Sequence, residues 1–216
     1  MEKFPITPKT EITRLAKRGA YDKETVYQIL DEALFCTLAF NRNGEPFQIP
    51  TGHCRIDDHL YIHGSVGSFY MRELVQHQAP VCISATLMDG LVLARSAFHH
   101  SVNYRSAVVF STAEKVTDKD EQYRALEVFT NKMQPGRWND VRKPTEGEWK
   151  ATMVIRFKIE EASAKLRTGP PKDDEEDYAL DVWAGVVPLN LQRLTPLPDP
   201  ELKPGVSLPS YLSFEK

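Results

Sequence analysis

The chain has 216 residues, 41% of them hydrophobic, and its 27 basic and 30 acidic side chains leave a formal net charge of −3. That length supports one domain with a sizeable core, and the interspersed charges form neither a basic stripe for nucleic acid nor a cationic field for an anionic membrane. Three scattered cysteines, Cys36, Cys54 and Cys82, make no CxxC pair and no zinc spacing, so a reduced cytoplasmic setting without a metal site is expected.

Residues 1–20 are polar and carry two early prolines. They read as an arm lying over the domain formed by residues 21–190. The opening residues lack the apolar core of a secretory leader, and no run approaches the roughly 18 apolar residues of a membrane span. Asp22 then precedes Val26, Ile29, Leu30 and Ala33, an apolar stripe at helical spacing with a good N-cap. From Leu34 the rhythm becomes that of short strands. Phe35–Phe40 leads through Asn43-Gly44 to Pro46–Pro50, a strong hairpin signal. A second hairpin is expected where Cys54–Ile56 turns at Asp57-Asp58 into His59–His63.

A short helix over about Ser68–His77 carries Met71, Leu74 and Val75 inward. Val81–Thr86, a turn at Asp89-Gly90, Leu91–Phe98 and Ser106–Thr112 complete five or six antiparallel strands. The fold class is therefore mainly β with peripheral helices, a sandwich or small barrel. Asp118 and Glu121 open a helix holding Leu126, Phe129 and Met133, which Pro135-Gly136 ends. Thr145 caps a helical turn, and Thr152–Ile159 is the last clear strand. The acidic run Asp173–Asp177 reads as a solvated loop. Residues 191–216 form a tail in which Pro196, Pro198, Pro200, Pro204 and Pro209 enforce extension.

Two stretches carry candidate chemistry. In Tyr61-Ile62-His63-Gly64-Ser65-Val66-Gly67-Ser68-Phe69-Tyr70-Met71-Arg72 a strand ends, two glycines permit an unusual turn, and a helix begins. Ser68 and Arg72, one turn apart, would suit a phosphate monoester at the helix start. The plain alternative is a capped helix with a surface arginine. No Walker or dinucleotide fingerprint is present. The polar run Arg95–Ser106, with His99, His100, Ser101, Asn103 and Arg105, would orient a heteroaromatic ligand if it faced a pocket. On an extended strand His99 and His100 point apart and cannot chelate one metal. Trp183 either stacks on a planar ligand beside Gly185 or plugs the core, and burial statistics favour the plug.

In order, Arg18–Asp22, Gly44-Glu45-Pro46 with Ile49-Pro50, Leu60–Leu74, Phe98–Ser106, Arg137-Trp138, Lys165–Pro171 and Trp183–Leu189 resemble the pyridoxamine 5′-phosphate oxidase-like family. The match is to its flavin-binding branch, which includes nitroimidazole-resistance proteins. The resemblance implies an antiparallel split β-barrel that dimerises, with flavin at the subunit interface. FMN is the implied cofactor, with FAD as the larger option. Its phosphate would lie on His63, Gly64, Ser65, Ser68 and Arg72, and its ring along Pro50 and Thr51. His99, His100, Ser101, Asn103 and Arg105 would approach that ring, with Arg167 and Trp183 closing the site.

The nitroimidazole-resistance relatives place a histidine like His63 near the reaction centre, which implies a catalytic proton donor. They often carry lysine after the second loop glycine, where this chain has Ser68-Phe69. The implied function is a flavin-dependent oxidoreductase passing electrons to a small organic acceptor. The rival readings are a flavin store or sensor, and a haem protein using His53, His63, His99 or His100 as axial ligand.

Overall fold

The computed structural model describes residues 2–213. Its elements are β1 (Gly19–Ala20), α1 (Lys23–Glu32), β2 (Phe35–Arg42), β3 (Glu45–Gly52), β4 (Cys54–Ile56), β5 (His59–Ser65) and α2 (Phe69–His77). There follow β6 (Pro80–Leu93), β7 (Ser101–Lys115), α3 (Lys119–Met133), α4 (Arg137–Asp140), α5 (Glu146–Ala151), β8 (Thr152–Lys158), β9 (Glu161–Arg167) and β10 (Gly185–Pro188).

The strands hydrogen-bond antiparallel in the order β3-β2-β6-β7-β8-β5-β4, with β9 joining β7 to β1 and β10 lying on β6. The path does not return to its start, so β3 and β4 remain its ends and the barrel is split. Pro46 and Pro50 fit this placement, because a residue without an N–H is tolerated on a terminal strand.

Local chemistry sets most of these elements. Asp22 Oδ1 accepts from Thr25 N at 2.8 Å and starts α1, whose Val26, Ile29 and Leu30 are buried. Asn43 and Gly44 both take positive φ, at 52° and 87°, the pair that a tight two-residue hairpin between β2 and β3 demands. Thr145 and Glu148 make a reciprocal capping box on α5. At α3 only half of that device forms. Asp118 accepts from Glu121 N, but the Glu121 carboxylate instead accepts from Tyr61 Oη at 2.8 Å and from Arg156.

One core fills the barrel, drawing on α1, β2, β5, α2, β6, β7, β8 and β9. A smaller cluster of Cys54, Ile56, Tyr61, Val116, Ala125 and Val154 seats α3 against β4 and β5. Its effect is to hold the inner face of α3 beside the end of β5. The three thiols are free, and burial pushes those of Cys36 and Cys54 up to about 12. Among the described residues no helix is long and apolar enough to cross a membrane.

Several sequence expectations are corrected. Asp89-Gly90 is not a turn, because β6 runs through it and pairs with β7 on both sides, with a bulge between Met88 and Gly90. Buried residues fall on odd positions before it (Val81, Ile83, Ala85) and on even ones after it (Gly90, Val92, Ala94). Gly90 leaves room for β10, since a Cβ there would stand 2.9 Å from Val186 Cγ1. Two strands beyond Thr152–Ile159, β9 and β10, complete the sheet. Within the acidic run, the Asp173 side chain is fully buried and accepts from Arg95 N and Arg95 Nη1. Trp183 is 67% exposed, which removes its reading as a core plug.

The arm is pinned by buried Phe4, whose N donates to Tyr21 O at 2.8 Å. The tail leaves β10 without regular structure until a 3₁₀ turn at Ser210–Leu212. It is tied twice to the same place: Arg193 donates to Met133 O, and Gln134 donates to Tyr211 O.

Candidate functional site

The β5–α2 corner brings together two of the predicted segments. The Tyr70 hydroxyl on α2 lies close to the Thr51 side chain on β3, so the end of the free-edged strand lies against the first turn of the helix. The loop amides are already used. Val66 N donates to Ala151 O, Gly67 N to Ser65 Oγ, and Ser68 N to Ser65 O. Ser65 is therefore committed to its own loop. Gly64 and Gly67 do not take positive φ. Gly64 serves close packing instead, since a Cβ there would lie 2.7 Å from Met71 Sδ.

What remains unspent at this corner is specific. Ser68 is the N-cap of α2 but makes no side-chain cap bond. Arg72, exposed and one turn along, has no side-chain partner among the described residues. A hydroxyl, a guanidinium and the first-turn amides thus share one helix end with its favourable dipole, an arrangement suited to a phosphate.

The second group lies under α3. His63 sits near the end of β5 with the Phe129 ring edge-on at 4.5 Å between centroids. Phe129 also abuts Gly52, where a Cβ would come within 2.9 Å of the ring. Neither nitrogen of His63 has a partner among the described residues, and burial lowers its pKa, so the ring is neutral at neutral pH. In front of it opens a cavity of about 410 Å³ lined by Leu126, Pro144, Thr152, Arg142 and Glu148.

Behind it, His53 is 1% exposed. Its Nε2–H donates to Leu30 O at 2.8 Å, and its Nδ1 is buried without a partner. Lys132 Nζ donates to the same carbonyl and stands 3.2 Å from His53 Nε2. Burial, reinforced by Lys132, brings His53 down to about 4, and burial brings Lys132 down to about 8. Sequence reasoning missed Phe129 and Lys132 as site residues. The only hint was their helical spacing, which says nothing of what they face.

The remaining predicted residues form a different surface. His99 lies in a 3₁₀ turn, Ala97–His99, ahead of β7 rather than on an extended strand. Its Nδ1 is hydrogen-bonded with Ser96 Oγ at 2.8 Å, and His100 Nδ1 lies 2.9 Å from Ser96 O. Ser101 N-terminally opens β7 opposite Val92. Arg105 grips Asp89 and Glu32, and the bonds to Glu32 and then Asp89 raise its pKa further. Arg167, buried, donates to Asn103 Oδ1, Gly169 O and Pro170 O. Asn103 donates in turn to Gly169 O.

These side chains brace the chain. Ligand atoms of His99, Asp173 and Asp177 cluster within 4.8 Å of one another. Asp173 there is already paired with Arg95 at 3.1 Å. From β3 to β7 the sheet spans three inter-strand spacings, roughly 14 Å. Along the sheet, the Pro50-Thr51 end and the Arg105 surface therefore lie on strands separated by β2 and β6.

The sequence pattern described as pyridoxamine 5′-phosphate oxidase matches residues 22–166. No functionally curated protein matches the chain. The solved flavocytochrome Anf3 from Azotobacter vinelandii is 40% identical with a TM-score of 0.88, covering 95% of each chain. The FAD and haem binding protein from Mycobacterium smegmatis is 38% identical with a TM-score of 0.85, covering 90% of this chain and 95% of that one. A proposed 5-nitroimidazole antibiotic resistance protein from Bacteroides thetaiotaomicron is 21% identical. Its TM-score is 0.58 over 68% of this chain and 86% of its own, a likeness of fold.

Proposed function

We propose, proceeding from the fact that this chain belongs to the pyridoxamine 5′-phosphate oxidase family, that it is a homodimeric redox protein carrying flavin and haem. The observation that carries the reading is the unspent pair Ser68 and Arg72 at the start of α2, in a chain 40% identical to a flavocytochrome over 95% of both. FAD is the flavin we favour over FMN, because the 38% identical relative is an FAD and haem binding protein.

When bound, a flavin supplies two-electron and one-electron chemistry at its central ring and a haem supplies one-electron exchange. The chain's own residues supply position. Arg72 offers two parallel N–H donors to a phosphate and Ser68 a hydroxyl, each charge-assisted bond contributing roughly 1.5–3 kcal/mol. β3 has hydrogen-bond partners on one side only, so backbone beyond Pro50 is open to the polar edge of a planar ring. The half-buried cation of Lys132, held at Leu30 O beside His53, favours negative charge near this end of the barrel.

Dimerisation is supported by apolar side chains left in the open. Phe35, Phe98 and Trp183 are 63%, 90% and 67% exposed, more than a lone soluble chain usually displays together. A second copy would cover them and bring its own 95–105 surface toward the flavin. The acceptor is a small molecule reached through the bound cofactors.

The test is the absorption spectrum of purified protein, with mass identification of the released nucleotide and the molar mass in solution. Flavin bands, a Soret band, FAD and a dimer are expected. A colourless protein that takes up neither cofactor on reconstitution overturns the reading.

A further inference from the structure

We infer that His63 is the axial haem ligand of this chain and that the cleft between α3 and the α4–α5 connection is where the macrocycle enters. The inference rests on the two-cofactor reading above, and it selects one histidine from six.

Each of the others is disfavoured on geometry. His53 is enclosed, with its Nε2–H spent on Leu30 O and its second nitrogen sealed from any cavity. His59 is paired with Asp58 at 2.7 Å. His99 and His100 are turned onto Ser96. His77 ends α2, exposed, beside Glu73 and Arg42 in a hollow of about 220 Å³, about half the size of the one at His63.

His63 meets what iron requires of a ligand. Its ring is fixed on a strand of the main sheet and braced by Phe129, so its orientation is set before binding. Both nitrogens are unpartnered among the described residues, which leaves the ring free to bind. The facing cavity of about 410 Å³ lies within the range of cofactor pockets, and Leu126 and Pro144 give it apolar walls. Arg142 in the same lining is already paired with Glu148 at 2.6 Å, so the assignment rests on the histidine and the apolar walls. Gly64, next in sequence, packs on Met71, the neighbour of Arg72. The proposed phosphate grip and the proposed iron ligand therefore belong to one end of the barrel.

The experiment compares wild type, His63→Gln, His63→Gly and His77→Gln, all produced with haem supplied. Haem per protein, Soret position and low-temperature EPR are read alongside flavin content. His77→Gln should match wild type. Both His63 variants should keep their flavin, lose at least tenfold in haem retention or shift the Soret band, and His63→Gly should regain the wild-type spectrum with added imidazole. A His63 variant with unchanged haem content, Soret band and EPR sinks the assignment while leaving the two-cofactor reading intact. A wild type that holds flavin but never haem overturns that reading, and with it this inference.

Discussion

Two polar regions of this molecule look alike in sequence and differ in structure. Around Arg105 and Arg167 nearly every hydrogen-bonding group is satisfied within the chain: Arg105 by Asp89 and Glu32, Arg167 by Asn103 and two carbonyls, His99 and His100 by Ser96. Around α2 and the inner face of α3 the opposite holds. Among the described residues, Ser68 and Arg72 stand without side-chain partners, as does His63, and His53 has a bare nitrogen. An arginine that braces its own fold has spent the donors a ligand would use. Unspent capacity, more than residue type, separates the candidate site from the scaffold.

The comparison can be pressed hardest through pH. His53 titrates near 6.5 when unfolded and at about 4 when folded. The unfolded chain thus binds a proton that the native state refuses. Stability conferred by the neutral ring is complete above about pH 6.5 and lost as pH falls toward 4, by about 3 kcal/mol in all. Urea unfolding across that range should show the decline, and His53→Phe should flatten it. An identical acid limb in the variant would remove His53 from the account.

Next in size, Arg167→Ala should cost about 2–3 kcal/mol by stranding Asn103 Oδ1 and Pro170 O, lowering Tm by roughly 5–10 °C with flavin affinity unchanged. Loss of flavin without loss of stability would move Arg167 from scaffold to site. Arg72→Ala should do the reverse, weakening flavin retention at least tenfold with the melting curve unmoved. A variant that purifies fully yellow would place the phosphate elsewhere. Least of all, Trp183→Ala should change stability by no more than about 0.5 kcal/mol, since the ring is exposed. Its effect is expected in the quantum yield of bound flavin.

Features decided within a few residues were legible in the sequence. The Asp22 cap, the Asn43-Gly44 hairpin, the α2 start at Ser68 and the Thr145 box each rest on contacts no more than four residues apart. Asp89-Gly90 misled for the same reason. The dipeptide signals a turn locally, while the ladder to β7 and the press of β10 on Gly90 are long-range facts. β9 and β10 escaped because Glu161–Arg167 and Gly185–Pro188 are short and weakly alternating. The site divided along the same line. Ser68 and Arg72 could be read as a pair one turn apart. That Arg105 would be claimed by Glu32, 73 residues away, could not. Nor could Lys132 and His53 be paired from positions 79 residues apart.

The extra residue in β6 changes which side of the strand is lining and which is skin. Before Asp89 the odd-numbered residues face inward, and beyond it the even-numbered ones do. Excising Asp89 alone would close the bulge and leave a regular alternation, with Val92 and Ala94 still inward and Leu91 and Leu93 still outward. The same cut would free Arg105 from one of its two anions. This fourteen-residue ribbon should therefore survive the loss of its one unpaired residue with its faces intact, whereas a residue added or removed elsewhere along it would turn every side chain beyond the change to the other face.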